Sequence, residues 1–143
     1  MAISVKRVYD PPSRSDGARV LVDRLWPRGV SKDASKLTAW LKDLAPSDEL
    51  RKWYHARSSQ WLAFRRKYLE ELRSPVAGAA LEQLYELAEE HARVTLLFAS
   101  RNVDKNNAIV LKELLDGTRK PPAASGAVGA AGAKRGRAWG PRA

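Results

Sequence analysis

The chain has 143 residues, a length typical of one domain, and 44% of them are apolar, which is enough for a buried core. Lys and Arg total 26 against 16 Asp and Glu, so the net charge is +10. The absence of Cys excludes disulfides, thiolate nucleophiles and Cys-based metal sites, and two histidines are too few for an all-His zinc cluster. Since the chain also lacks Gly-rich phosphate loops and metalloprotease motifs, we expect no metal and no cofactor.

Three segments have the composition of β-strands. The first is predicted near residues 3–8, where apolar residues flank Lys6 and Arg7. The second is predicted over 19–24, and the third over 94–99, a continuous apolar run typical of a central strand covered on both faces. About seventy residues of helical character separate the last two, which favours helical crossovers. The sequence therefore predicts an α/β fold with a small, mostly parallel sheet and helices packed around it.

Five helices are predicted, and two of them have clear starts. Ser47 precedes two acids and is a candidate N-cap, and Ser74 precedes Pro75, which suits the first helical position. One helix presents an aromatic stripe at spacings of three and four, which we interpret as core packing: Trp61, Phe64, Tyr68 and Leu72.

The composition changes after Gly117. Residues 118–143 contain six Lys or Arg and no acid, and they are rich in Ala, Gly and Pro. We therefore expect residues 1–117 to form the α/β domain and residues 118–143 to be a disordered basic tail. Nucleic-acid contact through this tail and a merely solubilising role both stay open.

The sequence contains no recognisable targeting or membrane-spanning segment. Its first ten residues already include charged side chains and lack the apolar stretch of a secretory signal. The apolar run at 94–99 is far shorter than a membrane span. We therefore expect a cytoplasmic protein that does not bind membranes.

The residues best suited to bind a ligand follow two of the predicted strands. The segment 23–29, Asp-Arg-Leu-Trp-Pro-Arg-Gly, follows the second strand, and 100–107, Ser-Arg-Asn-Val-Asp-Lys-Asn-Asn, follows the third. Ligands of α/β proteins bind beyond the carboxyl ends of parallel strands. Arg24, Arg28 and Arg101 are therefore expected to converge on one phosphate or carboxylate, which guanidinium groups bind through paired hydrogen bonds.

Three further residues belong to this predicted anion site, and each has a structural alternative. Trp26 is expected to wall the site or to anchor the core, and Asp23 to take part in it or to neutralise an arginine. Asn106 is expected to lie where the opening amides of the last helix add N–H donors, or to be simply the residue that starts that helix. His55, near a helix end, is a candidate acid or base, but a surface histidine near the helix dipole is the simpler interpretation.

Several strings in the chain form one pattern: Lys-Arg-Val-Tyr-Asp at 6–10, Val-Asp-Arg-Leu-Trp-Pro-Arg-Gly at 22–29, Ala-Pro-Ser at 45–47 and Val-Thr-Leu-Leu-Phe-Ala-Ser-Arg at 94–101. This pattern resembles the bacterial DUF488 family, of the YeaO-like type, over about residues 3–116. The resemblance implies a small cytoplasmic α/β protein and supplies no established reaction.

Two positions depart from the pattern of that family. Its members often carry Tyr where this chain has Phe98, and Asn-His where it has Asn106-Asn107. If that His is a general base, this chain lacks it, so the sequence leaves open whether the protein is an enzyme.

Two functional hypotheses remain. The first is a small-molecule anion site built from the predicted strand-end residues, and the second is a nucleic-acid-associated protein that uses the basic tail with surface cations such as Lys6 and Arg7. Residues 1–117 contain 20 basic and 16 acidic side chains, a net of only +4, which favours the small ligand.

Overall fold

The computed structural model describes residues 2–119 of the chain. The strands are β1 (Ala2–Arg7), β2 (Ala18–Leu21), β3 (Ala39–Trp40) and β4 (Arg93–Phe98). The α-helices are α1 (Lys32–Ser35), α2 (Asp48–Ala56), α3 (Trp61–Glu71), α4 (Pro75–Glu90) and α5 (Asn107–Arg119), and short 3-10 turns occupy Arg14–Asp16 and Lys42–Leu44.

The chain divides into two compact units, Met1–Lys112 and Glu113–Ala143. The first unit holds all four strands and the start of α5. In the second unit, the described residues form the remainder of α5, which continues to Arg119, two residues past the predicted domain end. The rest of the predicted tail lies outside the described residues.

The four strands form one parallel sheet in the order β1-β4-β2-β3. Val94 of β4 lies between Ile3 of β1 and Ala18 of β2, and Leu21 of β2 pairs with Trp40 of β3. The predicted α/β class is therefore confirmed, as is the prediction that the second and third predicted strands are parallel.

The structure corrects the extent of one strand and adds another. The second strand was expected over 19–24, but β2 ends at Leu21. The ladder ends there because the carboxylate of Asp23, rather than a backbone carbonyl, accepts the hydrogen bond from the Ala99 N–H. The two-residue strand β3 was not predicted, because two residues are too few to show an alternating pattern.

Apolar side chains cover both faces of the sheet. Val20, Leu96 and Phe98 are almost fully buried, and so are Leu81 and Leu84 of α4, which contacts β4. On alternate residues, Leu21 and Leu97 form a smaller buried cluster with Val8, and Trp26, Leu37, Trp40 and Ala99 pack against this cluster. The central strand β4 is therefore buried on both sides, as its continuous apolar run predicts.

The helix starts follow the sequence signals. The Ser47 hydroxyl accepts a hydrogen bond from the Leu50 N–H at 3.1 Å, and the Ser74 hydroxyl accepts one from the Ala77 N–H at 3.2 Å. The aromatic stripe on α3 is mainly core, since Phe64, Tyr68 and Leu72 are buried and Trp61 is half-buried. No helix within residues 2–119 has the length and apolar character needed to cross a bilayer.

Candidate functional site

A cleft of about 690 Å³ lies at the carboxyl ends of β2 and β4. Its walls come from the segment after β2, the segment between β4 and α5, one side of α2, and Tyr9 after β1. The structure brings all six predicted site residues to this cleft: Asp23, Arg24, Trp26, Arg28, Arg101 and Asn106. They meet there because β2 and β4 are adjacent and parallel, so that the segments after them leave the sheet at the same edge.

Five basic side chains line the cleft, against one carboxyl group: Arg24, Arg28, Arg51, Arg101 and Lys105 against Asp23. All five except the half-buried Arg24 are exposed. Arg24 donates to the Ala45 carbonyl at 3.3 Å, and Arg51 lies 3.5 Å from Asp48 in an exposed pair. Within residues 2–119, no ion pair within 4.0 Å involves Arg24, Arg28 or Arg101. The charges of Arg24, Arg28 and Arg101 on the cleft wall are therefore not neutralised by a neighbouring carboxylate.

Asp23 joins the ends of the two strands. One carboxylate oxygen accepts the Ala99 N–H at 2.8 Å, and the other accepts Nδ2 of Asn107 at 3.1 Å. Burial raises the pKa of Asp23 above its ordinary value, while these hydrogen bonds and the charge of Arg51 act in the opposite direction. The expected alternative of an Asp23–arginine ion pair is not seen within 4.0 Å in the described part of the chain, and both carboxylate oxygens accept from amide donors instead.

The two asparagines at the start of α5 have different structural roles. Oδ1 of Asn106 accepts the Ile109 N–H at 3.1 Å, and its Nδ2 donates to the Asn102 carbonyl at 2.8 Å. Asn106 therefore caps the start of α5, which is the structural role considered for it from the sequence. Both the oxygen and the nitrogen of its amide group are engaged in hydrogen bonds. Asn107 is buried and donates from Nδ2 to the Val22 carbonyl at 3.0 Å as well as to Asp23. The side chain beside Asp23 thus cannot exchange a proton near neutral pH.

Hydrogen bonds to backbone carbonyls hold the cleft walls in place. The Tyr9 hydroxyl donates to the Arg28 carbonyl at 3.1 Å, and the Tyr54 hydroxyl donates to the Lys105 carbonyl at 3.2 Å. Arg7 donates to the carbonyls of Ala99 and Ser100 at 2.9 and 3.0 Å. Each of the two strand-end segments is therefore tied to another part of the chain by side-chain hydrogen bonds.

Trp26 lines the cleft and also packs against Trp40. The two rings meet edge-to-face with 5.3 Å between their centroids. Its indole N–H donates to the Val30 carbonyl at 2.6 Å, which fixes the turn that carries Arg28. Trp26 is thus a half-buried anchor and also a wall of the cleft.

Arg51 also lines the cleft, although it was not among the predicted site residues. Arg51, Tyr54 and His55 line the cleft, and their spacings of three and four place them along one side of α2; Ser58, just beyond the end of α2, also lines it. That spacing is visible in the sequence, but nothing in the sequence shows that this side of α2 approaches the strand ends. His55 is exposed on the same wall.

Comparison with known proteins gives the family. The family described as the inactive DUF488-N3 subclade matches residues 2–127. The chain belongs to the DUF488 family. The resemblance expected from the sequence is therefore confirmed.

Two relatives show how much of the chain is shared. The chain is 43% identical over 115 residues to the uncharacterized protein YeaO of Escherichia coli, covering 80% of this chain and 97% of YeaO. It is 44% identical over 115 residues to the uncharacterized protein Rv3073c of Mycobacterium tuberculosis, covering 80% of this chain and 94% of that relative. No solved structure matches the chain.

Proposed function

We propose that the protein binds a small organic anion, a phosphate or a carboxylate, in the strand-end cleft and does not transform it. The observation that carries this proposal is the charge of the lining: five basic side chains face one cleft whose single carboxyl group is already engaged by amide donors. An anion in the cleft gains charged hydrogen bonds from the guanidinium groups. It also lies near the start of α5, where the helix dipole is positive.

The size and the walls of the cleft favour an organic ligand over a bare inorganic ion. A volume of about 690 Å³ falls within the range of small-molecule sites. Much of the lining is aromatic or apolar, including Tyr9, Leu25, Trp26, Pro46 and Tyr54. A ligand with an apolar or planar body and an anionic end satisfies both halves of this surface.

The arrangement around Asp23 supports binding without turnover. A general acid or base needs a proton-exchanging group with a free position toward the substrate. Both oxygens of Asp23 already accept amide hydrogen bonds, and Asn107 beside it does not titrate. The remaining candidate acid or base, His55, is an exposed side chain in the last turn of α2. The word inactive in the description of the matching subclade agrees with this proposal.

The proposal is tested by thermal-shift and calorimetric titration with inorganic phosphate, phenyl phosphate and benzoate. A ligand that binds the native state adds RT ln(1 + [L]/Kd) to the free energy of unfolding and so raises the melting temperature. We expect phenyl phosphate to bind more tightly than inorganic phosphate. Arg28→Ala and Arg101→Ala each remove a charged hydrogen bond of about 1.5–3 kcal/mol, so each is expected to weaken binding roughly tenfold to a hundredfold.

Arg14→Ala is the matched control, since Arg14 is exposed and lies outside the cleft lining. It is expected to leave both the melting temperature and the ligand affinity unchanged. If Arg28→Ala and Arg101→Ala bind the ligands as tightly as the wild type, or if none of the three anions raises the melting temperature, the proposal is wrong. Hydrolysis of phenyl phosphate by the purified protein would contradict the absence of turnover.

A further inference from the structure

The positive charge of the described chain is concentrated on α2 and α3. Residues 51–67 contain six Lys or Arg and no acid. Residues 1–117 have 20 basic and 16 acidic side chains, so without residues 51–67 that range is net negative by two. Within this helix pair we define the α2–α3 basic face by five side chains: Lys52, Trp53, Arg57, Arg66 and Lys67.

Two cations lie beside the ring of Trp53: Arg57, which follows the end of α2, and Lys67 of α3. The guanidinium carbon of Arg57 lies 5.4 Å from the ring centroid, and Nζ of Lys67 lies 5.1 Å from it. Cation–π attraction keeps these two like charges close to each other at the protein surface. Since neither cation forms an ion pair within 4.0 Å in the described part of the chain, such an arrangement is favourable for contact with an external polyanion.

The other cations of this face are also accessible. Lys52, Arg57, Arg66 and Lys67 are all exposed, and none of them forms an ion pair with another residue in the range 2–119. Arg51, on the adjacent side of α2, lines the cleft instead. The α2–α3 basic face is therefore a surface separate from the strand-end cleft.

We propose that the α2–α3 basic face binds the phosphate backbone of nucleic acid. Clustered Lys and Arg bind such a backbone by releasing its condensed counterions, and this requires no pocket. An anionic membrane is a weaker match, because membrane-surface helices need an apolar face to insert. On α2 and α3, Leu62 is the one large apolar side chain that is strongly exposed. This inference does not depend on the proposed ligand of the cleft.

The test is fluorescence anisotropy with the full-length chain and a labelled single-stranded oligodeoxythymidine over a range of NaCl concentrations. Arg57→Gln/Lys67→Gln removes two charges and keeps uncharged side chains of similar length. For single strands the slope of log K against log salt is about 0.7 per phosphate contact, so the double variant is expected to reduce it by about 1.4. At about 0.1 M salt this corresponds to a loss of roughly 25-fold in affinity.

Arg14→Gln/Lys32→Gln is the matched control, because it lowers the net charge equally at two exposed positions on other elements. It is expected to keep the wild-type slope. A second double variant, Lys52→Gln/Arg66→Gln, removes two other cations of the basic face. Neither of them has a cation–π contact among the described residues, and this variant is expected to reduce the slope by the same amount.

Three results would overturn this inference. One is a wild-type slope in both basic-face variants, which would place any binding elsewhere in the chain. Another is an equal reduction in the Arg14→Gln/Lys32→Gln control, which would show a mere net-charge effect. The third is tighter binding to phosphatidylserine vesicles than to the oligonucleotide at the same salt concentration. Urea unfolding of each variant shows whether it is folded under the binding conditions.

Discussion

Replacing Asn107 with alanine removes the amide group that joins the end of β2 to the start of α5. Nδ2 of Asn107 donates to the Val22 carbonyl at 3.0 Å and to Asp23 Oδ1 at 3.1 Å. Asn107 is buried, and Val22 is fully buried. In the variant, both acceptors lose a donor that alanine cannot replace.

The size of the effect follows from those two bonds. An unsatisfied buried carbonyl costs about 1–3 kcal/mol, and a hydrogen bond to a charged group contributes about 1.5–3 kcal/mol. Alanine recovers about 0.5 kcal/mol through its higher helix propensity. Since Asn107 lines the cleft, water replaces part of the loss. We therefore expect a decrease of about 3 kcal/mol in the free energy of unfolding, or about 10 °C in melting temperature.

The effect is expected to depend on pH. Burial raises the pKa of Asp23, so the stability linked to this group is complete below its unfolded pKa and falls as pH rises through its folded pKa. The hydrogen bond from Asn107 opposes this by favouring the charged carboxylate. Without it the pKa of Asp23 rises further, so the variant loses more stability at neutral pH than at acid pH.

Urea unfolding followed by tryptophan fluorescence at neutral and acid pH measures both effects. Val103→Ala is the control, because it shortens an exposed side chain in the same segment and is expected to change stability by less than about 0.5 kcal/mol. A loss in Asn107→Ala no larger than in this control, or one that grows as the pH is lowered, would refute the role assigned to Asn107.

Two further predictions concern the opposite end of β2. Asp16→Asn is expected to cost about 3–5 kcal/mol in urea unfolding, because Arg19, bonded to Asp16 at 2.6 Å and 3% exposed, becomes an uncompensated buried charge. Burial opposes ionisation of Asp16, but the hydrogen bonds to its carboxylate lower its pKa overall. The ionised carboxylate therefore contributes to the free energy of unfolding above pH 3.8, and this contribution is lost as the pH falls through the folded pKa. Gly17→Ala is expected to prevent folding, since a Cβ there would lie 2.1 Å from the Arg93 carbonyl oxygen at a φ of +66°. Gly78→Ala, inside α4 with nothing within 4 Å of its Cβ, is instead expected to stabilise the protein by up to about 1 kcal/mol, and circular dichroism melts distinguish the two.

Local patterns in the sequence determined much of the fold. The apolar run at 94–99 identified the central strand, because a strand buried on both faces needs no polar residues. The serines before α2 and α4 marked the helix starts, because their hydroxyls accept the hydrogen bonds of otherwise unpaired N–H groups. The meeting of the two strand-end segments was predictable for a similar reason: adjacent parallel strands place the segments that follow them at one edge of the sheet.

Other features of the protein depend on contacts between residues that are distant in sequence, and only the tertiary structure determines them. Asp23 and Asn107 are separated by 84 positions, and only folding brings the amide of one to the carboxylate of the other. Arg51 reaches the cleft because α2 packs there, and its helical spacing says nothing about what it faces. The strand β3 exists because β2 offers it a pairing edge. Sequence patterns specify which face of an element is apolar, whereas the partner of that face is set by packing across the whole chain.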